Sequence, residues 1–127
     1  MLMEAPMLKL QILPQALTVC KIGDLSAFVP SGLYFIGNTD AELSLVCETD
    51  RAPADTLARE DGWRALRVAG SMDFGLVGIL ANLAKVLADG GVPLFAISTF
   101  DTDYILVKAA AHARAIALLR DAGHEIA

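Results

Sequence analysis

Leu8, Leu10 and Ile12 alternate with Lys9 and Gln11 before Leu13 and Pro14. That is the period of a strand with one buried face, and proline ends it. A second run, Leu17-Thr18-Val19-Cys20-Lys21-Ile22, follows after Pro14-Gln15-Ala16. The two are expected to form an antiparallel pair or one bent strand. Between Ile22 and Leu33, the residues Gly23, Asp24, Pro30, Ser31 and Gly32 leave room for about one helical turn over 25–29. Residues 33–36 and 43–47 are β-rich runs on either side of Gly37-Asn38-Thr39-Asp40, which has the composition of a hairpin turn. The polar stretch 51–62 contains Pro53, which can begin a short helix over 54–59. Strand character returns at 63–68.

The second half is patterned more strongly. Asp73 can cap a helix whose apolar face is Leu76, Ile79, Leu80, Leu83, Val86 and Leu87, ending at Gly90-Gly91. Residues 92–99 form an almost continuous apolar strand, 100–103 a turn, and 104–108 its hairpin partner. A last helix over 110–122 places Ala109, Ala113, Ile116 and Leu119 on one side, and Gly123 stops it. Residues 124–126 can add a final short strand.

From Trp63 onward the order is strand, helix, strand, strand, helix, strand. This is the split βαβ order of ferredoxin-like α+β folds, in which two helices cover one sheet face. From Leu17 to Val68 the same order recurs with stunted helices, so the chain reads as two βαββαβ units in tandem, the first degenerate. Residues 8–64 are expected to form the N-terminal unit and 65–127 the C-terminal one.

Composition narrows the class. Apolar residues make up 55% of the 127, but no run of them approaches the ~18 residues of a membrane span. A net charge of −5, with no basic cluster interleaved with aromatics, argues against nucleic acid as a partner. Glu4 and Pro6 stand where a secretion signal carries basic and then apolar residues, so export is not expected and the cytoplasm is the expected location. The pattern begins at Leu8, which makes Met7 a candidate start. Cys20 and Cys47 lie in apolar runs, which suits buried, reduced thiols.

Catalytic chemistry is hard to assemble. Neither His112 nor His124 falls beside a strand-to-helix elbow or a buried acid, and both are expected on the surface near the last helix. No metal-ligand spacing occurs, so no metal and no cofactor is expected. Asp101 and Asp103 are a tight acidic pair, read as turn formers in preference to a cation site. Gly70, Gly75 and Gly78 match no phosphate-loop spacing. Gly78 nevertheless falls in the first helical turns, where glycine costs ~1 kcal/mol relative to alanine. Close packing on the sheet is one reason for it. The other is that residues 70–75 present free backbone N–H groups at a helix start, where partial positive charge attracts a carboxylate.

The segment "DFGLVGILANLAKVLADGGVPLFAISTFDTDYILVK", residues 73–108, resembles the ACT domain, the small βαββαβ module that binds amino acids in metabolic regulators. With "LQILP" and "WRALRVAG", the chain is similar over residues 8–126 to short bacterial proteins made of two ACT units, related to the ACT pairs of aspartate kinases and of animal cytosolic arginine sensors. In those proteins the ligand lies at an interface between ACT units, held by the loop and helix start after the first strand and by the edge of the second strand. The resemblance therefore implies a ligand site at Met72, Asp73, Phe74, Gly75, Leu76 and Val77, with Ile97, Ser98 and Thr99. Asp73 either takes the ligand ammonium or only caps the helix. A departure lies in the first half, where Pro30 interrupts a shrunken helix and puts a second site in question.

The expected function is a non-catalytic regulatory module for a free amino acid, with two copies associating as a homodimer. The alternative is a structural or protein-interaction module with no ligand, docking on a protein partner. A small enzyme built on Asp101, Asp103 and a histidine ranks third, because no nucleophile, base and orienting group converge.

Overall fold

The computed structural model describes residues 7–69 and 78–127. Two compact units emerge, Gln15–Trp63 and Arg64–Ala127, the latter joined by the described part of Met1–Pro14. The boundary falls inside one long strand.

The unit within Gln15–Trp63 is built from β2 (Leu17–Lys21), β3 (Tyr34–Asn38), β4 (Leu43–Glu48) and the first half of β5 (Ala58–Val68); β1 (Lys9–Ile12) precedes it in the chain. Its strand order is β3-β4-β2-β5, every neighbour antiparallel. This is the ferredoxin-like order, with the two helices reduced to 3₁₀ turns at Leu25–Ala27 and Thr49–Arg51. Asp24 caps the first turn by accepting from the Ser26 N–H at 2.8 Å. Cys20, Ile22, Phe28, Leu45 and Cys47 form the buried cluster under these turns. No helix forms over 54–59, contrary to expectation. Ala58 is already in β5, whose early side chains are charged and exposed and so leave no apolar period to read. Those residues are fixed by a polar network. Thr18, fully buried, donates to Asp61 Oδ1 at 2.6 Å and shares a 3.0 Å hydroxyl contact with Thr49, while Arg59 Nε donates to the same Asp61 oxygen at 2.8 Å.

Gly32 enters β3 at φ +67°, a conformation that disfavours any side chain. A Cβ there would collide with the Glu48 carboxylate, which accepts the Leu33 N–H at 2.9 Å. Gly32→Ala is expected to cost about 1–2 kcal/mol from strain and the displaced hydrogen bond, measured by urea unfolding.

The other unit comprises β1, the second half of β5, α1 (Ile79–Asp89), β6 (Phe95–Ser98), β7 (Asp103–Lys108), α2 (His112–Asp121) and β8 (Glu125–Ile126). β7 pairs with both β5 and β6, so β5 is flanked by β7 and β1, and β1 runs parallel to β8. Without β1 the order would again be ferredoxin-like. β1 thus belongs with the C-terminal residues, whereas the sequence placed residues 8–13 with the N-terminal half. β1 and β2 form no hairpin: both run antiparallel to β5, which is the bent-strand alternative interrupted at Pro14.

α1 begins later than expected. Gly78, at φ +84°, is its N-cap, not part of its first turns, and Asn82 N donates to Gly78 O at 2.8 Å. The expected cap Asp73 and the face residue Leu76 lie outside the described residues. Ile79, Leu83 and Leu87 are buried with Leu10, Leu66, Val68, Ile105, Val107, Ala115 and Leu119 in one core. α2 differs in rotation: Ala115 and Leu119 are its buried residues, whereas Ala109 and Ala113 are exposed. The 3₁₀ turn Ala109–Ala111 that precedes α2 advances its start and turns the face. α1 and α2 are tied by Arg114, whose Nε and Nη2 donate to Gly90 O at 3.0 and 2.5 Å.

Candidate functional site

Tight hairpins close with side chains that cap their own backbone. In the β6–β7 hairpin, Thr99 N donates to Thr102 O at 2.8 Å and Thr99 Oγ1 to the same oxygen at 3.1 Å. Thr102, 8% exposed, turns its hydroxyl the other way and donates to Val68 O at 2.7 Å. That bond fastens the hairpin to the end of β5. Next along, Ser98 Oγ donates to Asp103 Oδ1 at 2.5 Å, with Asp103 only 5% exposed.

Cross-strand register divides these residues between the two sheet faces. Ser98 opposes Asp103 and Ala96 opposes Ile105, a core residue, so Ser98 and Asp103 share the helix-covered face. Ile97 opposes Tyr104 on the other face. There the Arg67 guanidinium stands 5.9 Å from the Tyr104 ring centroid and donates to Gln11 Oε1 at 2.9 and 2.8 Å. Of the residues singled out from sequence, Ile97 is half-buried, and Ser98 and Thr99 are exposed at the strand end. Met72, Asp73, Phe74, Gly75, Leu76 and Val77 lie outside the described residues. Asp103 was read as a turn former, but it is the first residue of β7 and the partner of Ser98. The signal available was its position opposite Ser98 across a four-residue turn.

Burial shapes the histidines and the cysteines. His124 is buried, not on the surface: Leu8 N donates to its Nδ1 at 3.2 Å, and its Nε2 lies 3.2 Å from Asn82 Oδ1. Burial lowers its pKa from the ordinary 6.5. The His112 pKa is lowered first by burial and then by the Arg64 charge. Burial, and then the neighbouring Cys20, pushes the Cys47 thiol up to about 11, which keeps it a neutral packing group. Among the described residues no three His, Cys, Asp or Glu side chains gather as metal ligands, and no helix is long and apolar enough to cross a membrane.

The model of the ACT domain family matches residues 58–121, from the first residue of β5 to the last of α2. Protein Atu0741 from Agobacterium tumefaciens is 31% identical, with a TM-score of 0.87 over 97% of this chain and 94% of that one. The chain belongs to the ACT domain family. ACT domains serve as regulatory modules that bind small molecules, and the fold extends to more distant proteins. The regulatory subunit of aspartate kinase from Thermus thermophilus, in its ligand-free form, matches with a TM-score of 0.65 at 9% identity, over 90% of this chain and 96% of that one. VC0802 from Vibrio cholerae, described as a possible transport protein, matches at 0.69 and 20% identity over 91% and 89%. At such identities the likeness is one of fold alone. No curated protein sequence matches the chain. Within the ACT frame, β5 is the first strand of the C-terminal unit, and the segment 70–77 is the connection to its first helix.

Proposed function

We propose that this ACT protein is a non-catalytic, cytoplasmic regulatory module that binds a free amino acid. The ligand is held at the edge of the C-terminal ACT unit where a further ACT unit packs, and two copies associate. The observation that carries the reading is the Ser98–Asp103 pair at the mouth of the β6–β7 hairpin, one strand away from the end of β5. An amino acid asks for a carboxylate to meet its ammonium and for N–H donors to meet its own carboxylate. Asp103 supplies the first. The second is assigned by this reading to residues 70–77, which include Asp73 and Gly75 and precede α1 in the chain. Met72, Phe74, Leu76 and Val77 complete the proposed ligand set, with Ile97 and Thr99 at the strand edge.

A thermal-shift screen of the twenty amino acids at about 5 mM tests this reading, since a ligand at a hundredfold its Kd adds ~2.7 kcal/mol to the folded state. One amino acid, or a few related ones, is expected to raise the melting temperature by several degrees. Asp73→Ala or Gly75→Val is expected to abolish the rise while far-UV circular dichroism shows each variant to be folded. A flat screen would instead favour the protein-interaction reading, in which an enzyme docks on the ACT surface.

A further inference from the structure

We infer that Arg64 and His112 form a second binding site, for the carboxylate of a small molecule, at the start of α2. Side chains alternate along β5, so Arg64 lies on the face of Leu66 and Val68, the face that α1 and α2 cover. Along the strand it stands about 13 Å from Val68, which Thr102 ties to the β6–β7 hairpin. β7 runs away from that hairpin, and its end leads through Ala109–Ala111 to His112, the first residue of α2. The two ends of this sheet face thus hold different chemistry, Ser98 and Asp103 at one and a guanidinium with an imidazole at the other. The second site is independent of whatever the hairpin end binds.

Both side chains have hydrogen-bonding capacity to spare. Arg64 Nη2 donates to Leu13 O at 3.1 Å, but its Nε is buried with no acceptor among the described residues. His112 Nε2 is likewise buried without a partner. After burial, the Arg64 charge is what lowers the His112 pKa, so the two groups are neighbours. Two neighbouring donors left unmatched ask for a shared acceptor. Among the described residues no carboxylate pairs with Arg64, and α2 has neither a side-chain cap nor an acid in its first turn. Positive charge at this end is therefore unbalanced. With the imidazole neutral at pH 7.5, the site carries the single charge of Arg64, which matches a monoanionic carboxylate better than a phosphate dianion. One carboxylate oxygen takes the Arg64 Nε–H and the other a His112 ring N–H. The His112 ring holds no hydrogen bond among the described residues and is half-buried, as Arg64 is, so the ring can turn to admit the ligand.

Proton–carbon NMR of the His112 ring at pH 7.5 tests the inference, with sodium acetate added to the full chain and sodium chloride as the ionic-strength control. Acetate is expected to shift the His112 signal saturably in the millimolar range and chloride is not. The His124 signal is expected to stay still, as the internal reference. Arg64→Gln is expected to weaken acetate binding at least about tenfold, since the ligand loses a charge-assisted hydrogen bond. Should that variant fail to fold by far-UV circular dichroism, Arg64→Lys is expected to weaken binding as well, because lysine keeps the charge without the Nε–H. No saturable shift with acetate, an equal shift of His124, an affinity unchanged in the folded variant, or tighter binding of inorganic phosphate than of acetate would overturn the inference.

Discussion

Leu83→Ala is expected to lower the unfolding free energy by about 3–4 kcal/mol, the upper part of the range for large-to-small changes in a core. Leu83 has no solvent exposure and stands in the middle of α1, between Ile79 and Leu87, within the cluster formed by Leu66, Val68, Ile105 and Leu119. Removing its side chain leaves a cavity enclosed by a helix and two strands, none of which can collapse without disturbing its own hydrogen bonds. Against a total stability of ~5–15 kcal/mol, that loss is large enough to move a urea midpoint plainly. Leu57→Ala is the internal reference: Leu57 is 68% exposed, and its loss is expected to stay within ~0.5 kcal/mol. If the two substitutions cost the same, α1 does not pack on the sheet as described.

His124→Leu is expected to cost about 2–3 kcal/mol, although leucine is more apolar and nearly as large. The imidazole is bonded on both sides: Nδ1 accepts from Leu8 N, and Nε2 faces Asn82 Oδ1. That arrangement requires the neutral ring with its proton on Nε2. Leucine would leave the partly buried Leu8 N–H and Asn82 amide oxygen without this partner. The same geometry fixes a pH dependence. Burial holds the folded-state pKa below 6.5, so the unfolded chain binds the proton more readily. The contribution is therefore fully present above pH 6.5 and is lost as pH falls through the lower folded-state pKa. His112, shifted in the same direction, adds to the slope. Chemical unfolding between pH 7.5 and about 5 is expected to show stability falling with acid in the wild type and a shallower fall in His124→Leu. Equal slopes would mean that His124 is not held neutral.

The elements easiest to read were those whose burial follows a single period. α1, with Ile79, Leu83 and Leu87 one turn apart, and the two hairpins around residues 39–42 and 99–102 carry their period and turn chemistry in adjacent residues. From these the α+β, ferredoxin-like order of both units could be read, including the stunted helices of the first. The rest depended on partners distant in the chain. The first half of β5 carries Arg59, Glu60 and Asp61, residues that show strand only once β2 lies alongside and Thr18 takes Asp61. The place of β1 between β5 and β8 joins residues more than fifty positions apart, and no local pattern encodes it. His124 looked like a surface residue because its partners lie 116 and 42 positions away. At the candidate site, Ser98 and Thr99 were legible as a strand edge, whereas the pairing of Asp103 with Ser98 depends on the exact register across the hairpin.

The central claim is that the C-terminal ACT unit binds a free amino acid, and isothermal titration calorimetry of the full chain against each of the twenty tests it most directly. The expected result is saturable heat with one amino acid or a few related ones at millimolar concentration or below, lost in Asp103→Asn and in Gly75→Val while both variants stay folded. No heat from any of the twenty, or heat unchanged in both variants, would contradict it.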